Sequence, residues 1–329
     1  MTEAVLSVRG LTTVLNLHGG PVNVVNDVDF DVRAGETVAL VGESGCGKSL
    51  TMLSVMGLQP DPPAQIVAGQ VLLDGRDLLT MDDQQRRAVR GAEMAMVYQD
   101  PMTSLNPLMR VGEQIAEVLR AHGRSRREAG ERTLEVLADV GIPRPARAAK
   151  AYPHEFSGGM RQRVVIAMAL ALRPKVLIAD EPTTALDVTI QQQIIALVAG
   201  LREQMSMAVV WVTHDLGVVA RVAQRVLVMY GGYVVEEGAT AAVFTRPEHP
   251  YTAGLLAAIP PVKGAERHVL RQIPGSPPDP ASAPPGCPFA PRCDHVVEQC
   301  RTAMPPLTDR HGSRAACWVP PAEWSTGEP

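Results

Sequence analysis

"ETVALVGESGCGKSLTMLSVMG" runs from Glu36 to Gly57. An apolar run stops at a glycine-rich stretch, and that stretch opens directly onto a segment with helical character. Its middle, "GESGCGKS" from Gly42 to Ser49, fits the pattern G-x-x-x-x-G-K-S. Glycines let backbone N–H groups turn inward around phosphate oxygens. Lysine at this place puts a positive charge on the β- and γ-phosphates, serine can ligate Mg²⁺, and the helix N-terminus adds its dipole. Gly42, Glu43, Ser44, Gly45, Cys46, Gly47, Lys48, Ser49 and Leu50 are therefore the candidate nucleotide-binding residues. Strand, glycine loop and helix in this order predict an α/β fold.

The flanking sequence extends that reading. "VNVVNDVDFDVRAGETVALV", upstream, alternates and then runs apolar, as strands leading into the loop do. Lys48 to Gly57 predicts the helix that follows. "GQVLLDG" and "EMAMVYQ" predict further strands, and from Val111 to about Val140 the pattern turns helical. Ser125 and Glu128 have capping-box spacing for a helix starting there. "KVLIAD" is a short apolar run ending in an acid, the look of a strand buried in a parallel sheet. "VTIQQQIIALVAGLREQ" reads as an amphipathic helix capped by Asp187, and "MAVVWVTHD" and "RVLVMYGGYVVEEG" as strands. After Pro247 the texture changes. Thirteen prolines fall in the 56 residues from Pro274 to Pro329, too many for a segment that builds a core by itself. There is no internal repeat, so the chain holds one nucleotide cassette.

Composition narrows the functional classes. The chain has 329 residues, 46% of them hydrophobic, enough for a sizeable core, and a formal net charge of −4. That charge argues against nonspecific binding to nucleic acid, which wants a basic surface. The N-terminal "MTEAVLSVRG" has no basic segment followed by an apolar one, so no signal peptide is expected. No run of about 18 apolar residues occurs, so a membrane role must come through partners. Without an export signal, clustered cysteines point to metal or redox chemistry rather than disulfides.

"VLIADEP" supplies the second half of the chemistry. Asp180, at the strand end, can hold Mg²⁺ through water, and Glu181 beside it is placed to polarise an attacking water.

Further segments carry a family resemblance. "FSGGMRQR", Phe156 to Arg163, resembles the signature motif of ATP-binding cassette (ABC) ATPases. "TTALD" is similar to their D-loop, "VTHD" with His214 to their switch histidine, and "VYQD" with Gln99 to their Q-loop, all in the family's order over roughly residues 4–240. "VYQDPMTSLNPLM", "YPHEFSGGMRQR", "HPYTAGLLAAIP" and the cysteine-bearing tail resemble the oligopeptide/dipeptide importer branch over nearly the whole chain. Two departures stand out. Met160 occupies the place where the generic signature has Gln, as is common in this branch. The aromatic that usually stacks on adenine is not evident in "VLNLHGGPVN"; His18 is the nearest candidate, and a hairpin-turn residue is its simpler reading.

The resemblance implies an ABC nucleotide-binding domain: a P-loop RecA-like core with an antiparallel β subdomain (residues 1–98 and 164–245), a helical subdomain (99–163) and a Cys/Pro-rich extension (246–329). It implies ATP and Mg²⁺ as ligands, with Ser49, Gln99 and Asp180 on the metal and Lys48, Gln99, Glu181 and His214 as catalytic groups. Ser157, Gly158 and Gly159 would serve the nucleotide of a facing, non-identical ATPase subunit. The helical segment would receive the cytoplasmic helices of two permease subunits, fed by an extracytoplasmic solute-binding protein, with this chain peripheral on the cytoplasmic membrane face and no nucleic acid involved. The expected function is ATP hydrolysis that powers peptide import. Two alternatives are a soluble, non-transport ABC ATPase and a redox-regulated one with a sensing tail. Translation ATPases carry two cassettes and the repair type a long coiled-coil insertion, neither of which occurs here. Cargo selectivity lies in the permease and binding protein.

The tail closes the reading. Cys287, Cys293, Cys300 and Cys317 are spaced C-x₅-C-x₆-C-x₁₆-C. Four thiolates can hold a tetrahedral Zn²⁺ or an iron–sulfur cluster. Zinc usually draws on tighter pairs than these, and Pro288 directly after Cys287 is similar to the Cys-Pro of ferredoxin sites. The branch resemblance implies a [4Fe–4S] cluster, with Zn²⁺ the alternative. Either would staple a tail that has no core of its own. The fifth cysteine, Cys46, lies inside the glycine loop.

Overall fold

The computed structural model describes residues 3–184, 186–259, 272–282 and 284–324. It divides into two compact units. No helix among the described residues is long and apolar enough to cross a membrane.

The first unit comprises residues 1–7, 31–36 and 72–211. Its sheet pairs the strand Met94–Val97 in parallel with Val176–Asp180, in the register Met94↔Val176 to Val97↔Ala179. Every residue of Val176–Asp180 is buried, which explains why the sequence runs apolar there rather than alternating. The helical stretch expected from Val111 to about Val140 is two helices, the second starting at Ser125 as its capping-box spacing predicts. Val111–Ala121 buries Val111, Ile115 and Leu119, one face at a spacing of four. Arg126–Asp139 follows, and its start is a full capping box: Ser125 accepts from the Glu128 N–H, and Glu128 reaches back to the Ser125 N–H at 2.9 Å. Helix Gly158–Leu170 follows, then helix Val188–Met205, whose N-cap Asp187 accepts from the Ile190 N–H at 3.0 Å.

The second unit comprises residues 8–30, 37–71 and 212–329. The strand Thr37–Val41 lies parallel to Arg225–Tyr230, with Val38↔Arg225 through Val41↔Val228. Arg225–Tyr230 turns at Gly231–Gly232 into the antiparallel strand Tyr233–Ala239. That strand pairs antiparallel with Ser313–Ala315, which pairs with Thr308–Arg310. The proline-rich tail thus contributes two short strands to the edge of this sheet. It also contributes to the core: Cys287, Phe289, Ala290 and Cys300 pack in one buried cluster with Ala39, Val41, Val228, Tyr230, Val235 and Tyr251. A segment with too few apolar residues for its own core shares its neighbour's. The strands Ala4–Leu17 and Gly20–Arg33 meet at a two-residue turn, where His18 is exposed.

Candidate functional site

In the second unit the buried strand Thr37–Val41 delivers the chain into the glycine loop, and helix Lys48–Met56 leaves it. No side chain caps the start of that helix. Its N-cap is Gly47, in a left-handed conformation at φ 102°, with no side-chain cap. A Cβ on Gly47 would stand 2.7 Å from the Val24 carbonyl oxygen, so both the dihedral and the close approach require glycine. Lys48 is buried, and its ammonium donates to the carbonyls of Gly42 at 2.8 Å and Glu43 at 2.9 Å. The charge is thereby held inside the curve of the loop, where an anion would meet it. The Cys46 thiol is buried 3.8 Å from the Lys48 ammonium. Burial pushes its pKa up and the lysine opposes that, so the thiol stays protonated near neutral pH. Ser44 and Gly45 are exposed at the tip of the loop.

Glu43 is held at three points. Its N–H donates to the Tyr251 hydroxyl at 2.8 Å, its carbonyl accepts from Lys48, and its carboxylate takes both terminal nitrogens of Arg292, at 2.6 and 3.0 Å. His214, in the bend after strand Ala208–Thr213, is exposed. The next residue, Asp215, caps helix Leu216–Val222 by accepting from Gly217 and Val218.

In the first unit, strand Val176–Asp180 ends on its two acids. Asp180 is its last residue and is buried. Glu181 departs at φ +46°, a left-handed conformation uncommon for a residue with a side chain. Strain of this kind persists where surroundings hold it, and the holding groups are present. The Glu181 carboxylate accepts from the Gln99 amide at 3.1 Å and from the Thr184 hydroxyl at 2.8 Å. The structure thus brings Gln99 and Glu181 together, though 82 residues separate them. Gln99 commits its amide nitrogen to Glu181, which leaves its amide oxygen as the atom a cation would use. The Asp180 carboxylate, like that amide oxygen, is of the donor type Mg²⁺ takes, as is the Ser49 hydroxyl in the second unit.

Helix Gly158–Leu170 opens at the segment Ser157–Gly159. Ser157 caps it, accepting from the Met160 N–H at 3.4 Å. Ser157 and Gly158 are exposed, whereas Gly159 is buried. A Cβ on Gly159 would lie 2.5 Å from Cγ2 of Ile190, so glycine lets this helix pack against helix Val188–Met205.

Cys287, Cys293, Cys300 and Cys317 line one cavity of about 10 Å³ with His249, Phe289 and Trp318. None of the four is in a disulfide. Burial, helped by mutual repulsion, pushes Cys287 up to about 12 and Cys293 up to about 11, so both hold their protons at neutral pH. Among the described residues, no three His, Cys, Asp or Glu side chains stand as a ready metal-binding group. The thiols converge on one place without forming a finished ligand sphere.

Three residues here escaped the sequence reading. Thr184 lies in "TTALD", and its short reach back to Glu181 was a readable signal. Tyr251 and Arg292 contact Glu43 from 208 and 249 residues away, and no pattern in the sequence announces that.

Comparison with known proteins agrees with this geometry. Residues 25–184 match the family model described as "ABC transporter", and residues 235–300 that described as "Oligopeptide/dipeptide transporter, C-terminal region". The chain is 49% identical over 321 residues to the dipeptide transport ATP-binding protein DppD of Bacillus subtilis, covering 96% of this chain and 95% of that one. It is 51% identical over 330 residues to a putative peptide import ATP-binding protein of Brucella ovis, covering 96% and 98%. Among solved structures, it resembles a dimeric ATP-binding cassette in a post-hydrolysis state bound to ADP and Pi, with a TM-score of 0.63 and 29% identity, covering 71% of this chain and 98% of that one.

Proposed function

The chain belongs to the ABC transporter family of ATP-binding proteins, and from that premise we propose that it is the ATPase subunit that powers a peptide importer. The observation that carries the reaction is the Glu181 carboxylate, held by Gln99 and Thr184 beside Asp180. Peptide as cargo is supported by the match of residues 235–300 to the oligopeptide/dipeptide transporter region and by relatives named for peptide transport along nearly the full chain.

In this reading the loop Gly42–Ser49, with Leu50 behind it, cradles the phosphates, and Lys48 neutralises the β- and γ-oxygens. Ser49, Asp180 and the amide oxygen of Gln99 would hold Mg²⁺, which when bound offsets phosphate charge and orients the leaving group. Glu181 takes the proton of the attacking water, and its two hydrogen-bond donors aim it. His214 senses the γ-phosphate. The exposed Ser157 and Gly158, with Gly159, present a helix N-terminus to the nucleotide of a facing cassette. That facing subunit would be a second, non-identical ATPase. Two permease subunits would dock on residues 99–163, the core would span 1–98 and 164–245, and a solute-binding protein would deliver cargo. The chain then works peripherally, at the cytoplasmic membrane face.

For the extension, residues 246–329, we propose that the four cysteines hold a [4Fe–4S] cluster or, failing that, Zn²⁺. Convergence of four thiols on one cavity and the tail's small apolar content support a structural staple. Ligation would release the thiol protons. Anaerobically purified protein is expected to be brown and to contain iron and sulfide. One zinc per chain would replace the cluster, and no metal would remove both.

The decisive test of the whole reading is an assembled importer in liposomes, with the paired ATPase, both permeases and the binding protein. ATP hydrolysis is expected to rise when peptide is added. An importer that hydrolyses ATP yet responds to no peptide library would overturn the cargo assignment.

A further inference from the structure

We propose that Arg292 is a positioning residue for the nucleotide site: by clamping Glu43 it holds the phosphate-binding loop in its working shape. The inference rests on Gly42–Ser49 being where ATP binds.

The loop needs such a clamp. Glycine is the residue that loses most conformational freedom on ordering, and this loop has three glycines in six residues, Gly42, Gly45 and Gly47. A loop that must be ordered by its ligand lowers affinity by that entropic cost, and a loop ordered beforehand avoids it. Glu43 is the second residue after the strand Thr37–Val41 that delivers the chain. With its N–H on Tyr251, its carbonyl on Lys48 and its carboxylate on Arg292, the residue cannot rotate without breaking a contact at each end.

Arg292 is itself immobile. Its side chain is 5% exposed, against 27% for Glu43. Besides the two bonds to Glu43, it donates to the carbonyls of Pro274 at 2.8 Å and Ile273 at 3.3 Å and to the Tyr230 hydroxyl at 3.1 Å. Its guanidinium carbon stands 5.7 Å from the Tyr230 ring centre and 6.0 Å from that of Phe289. The fork geometry matters: a planar guanidinium grips both carboxylate oxygens at once, and a lysine would reach one. Arg292 closes the short turn Ala290–Arg292, between Cys287 and Cys293, and Cys287, Phe289 and Ala290 are buried in the core with Tyr230 and Tyr251. The four-cysteine element therefore grips the phosphate loop directly, and its consequence is on nucleotide affinity, not only on the stability of the tail.

Such a clamp acts on the bound ground state and the transition state alike, so its loss raises KM and spares kcat. The test uses the full-length chain. Affinity for a fluorescent ATP analogue is measured by anisotropy, and KM and kcat for ATP by phosphate release, in the parent, Arg292→Ala, Arg292→Lys, Glu43→Gln and the double variant Glu43→Gln/Arg292→Ala. Arg292→Ala is expected to weaken binding about tenfold, in the range for a charge-assisted hydrogen bond, with kcat at saturating ATP little changed. Arg292→Lys should recover part of the loss. The double variant should bind no worse than the weaker single variant, because both remove one interaction. Parent-like affinity in Arg292→Ala would overturn the proposal, as would losses that multiply in the double variant. If thermal melting shows that Arg292→Ala does not fold, Arg292→Lys and Glu43→Gln decide by the same affinity criterion. A parent chain that does not bind the analogue at all would instead overturn the reading of Gly42–Ser49 as the ATP site.

Discussion

Two loops in this chain use glycine and a helix N-terminus in opposite ways. Around Gly42–Ser49 the loop precedes a helix whose N-cap has no side chain, encloses a buried lysine, and is tied down by Tyr251 and Arg292. Around Ser157–Gly159 the helix is capped by a serine hydroxyl, the first two residues are exposed, and the buried glycine serves to let Ile190 approach. The first is built to enclose a phosphate and hold its charge. The second is a presented surface, suited to a phosphate that another chain brings. A glycine-rich motif thus says that backbone will do the work; its surroundings say whether the work is enclosure or presentation.

The widest gap between holding and reacting should appear at Glu181. In Glu181→Gln, hydrolysis should fall by about 10²–10⁴, the usual worth of a general base, while ATP affinity persists. Purified variant turning over ATP like the parent would break the division of labour. Lys48→Ala should do the reverse and strike binding first, by roughly ten- to a hundredfold from the loss of a charge-assisted contact. Titration with labelled ATP checks it, and unchanged affinity would make the enclosing loop a mere turn.

Gly159→Ala probes the presented loop. An added methyl group faces Ile190 at 2.5 Å, so the variant should lose about 1–3 kcal/mol of stability, as overpacked sites do. Adding Ile190→Ala should return part of the loss in chemical denaturation. No change on Gly159→Ala would mean that the two helices part easily, against the packing described.

An effect of pH lies behind the enclosing loop. Glu236 is fully buried and accepts from the N–H groups of Glu248 at 2.8 Å and His249 at 3.0 Å, just before helix Pro250–Ala257, which carries Tyr251 to Glu43. Burial pushes its carboxyl up to about 7 and pushes His249 down to about 3. Between the ordinary carboxylate value and pH 7 the folded chain keeps a proton on Glu236 that the unfolded chain has lost, so this group's contribution falls as pH rises. His249 is neutral when folded and would be protonated when unfolded, so between about pH 3 and 6.5 its contribution grows with pH. From pH 4.5 to 6.5 the two oppose each other. Glu236→Gln should therefore remove the falling contribution and make stability rise more steeply with pH in that window, by at most ~1.4 kcal/mol per unit. Urea midpoints across that window measure the slope, and an unchanged slope would remove Glu236 from the account.

Much of this was readable beforehand, and the reasons differ by element. Helix Val188–Met205 and its Asp187 cap were legible because the cap lies three residues from the N–H it satisfies. The capping box at Ser125 was legible for the same reason. That box also marks the break between helices Val111–Ala121 and Arg126–Asp139; what no pattern showed is that His122 is held there by the Arg90 carbonyl, a contact across 32 residues. The proline-rich tail read as a segment without its own core, yet which core it would borrow depended on Phe289 meeting Tyr230 and Tyr251.

The sequence by itself determined the phosphate loop, the strand-end acids and the cysteine spacing. Each is a set of residues close along the chain, where covalent geometry already fixes what can meet. Only the tertiary structure decided that Gln99 would steady Glu181, that four cysteines would face one small cavity, and that Arg292 would reach back 249 residues to Glu43. A charged pair so distant leaves no periodicity and no motif. It exists because the core that buries Tyr230, Tyr251 and Phe289 brings the two ends of the unit together, and a guanidinium buried there needs a carboxylate to face.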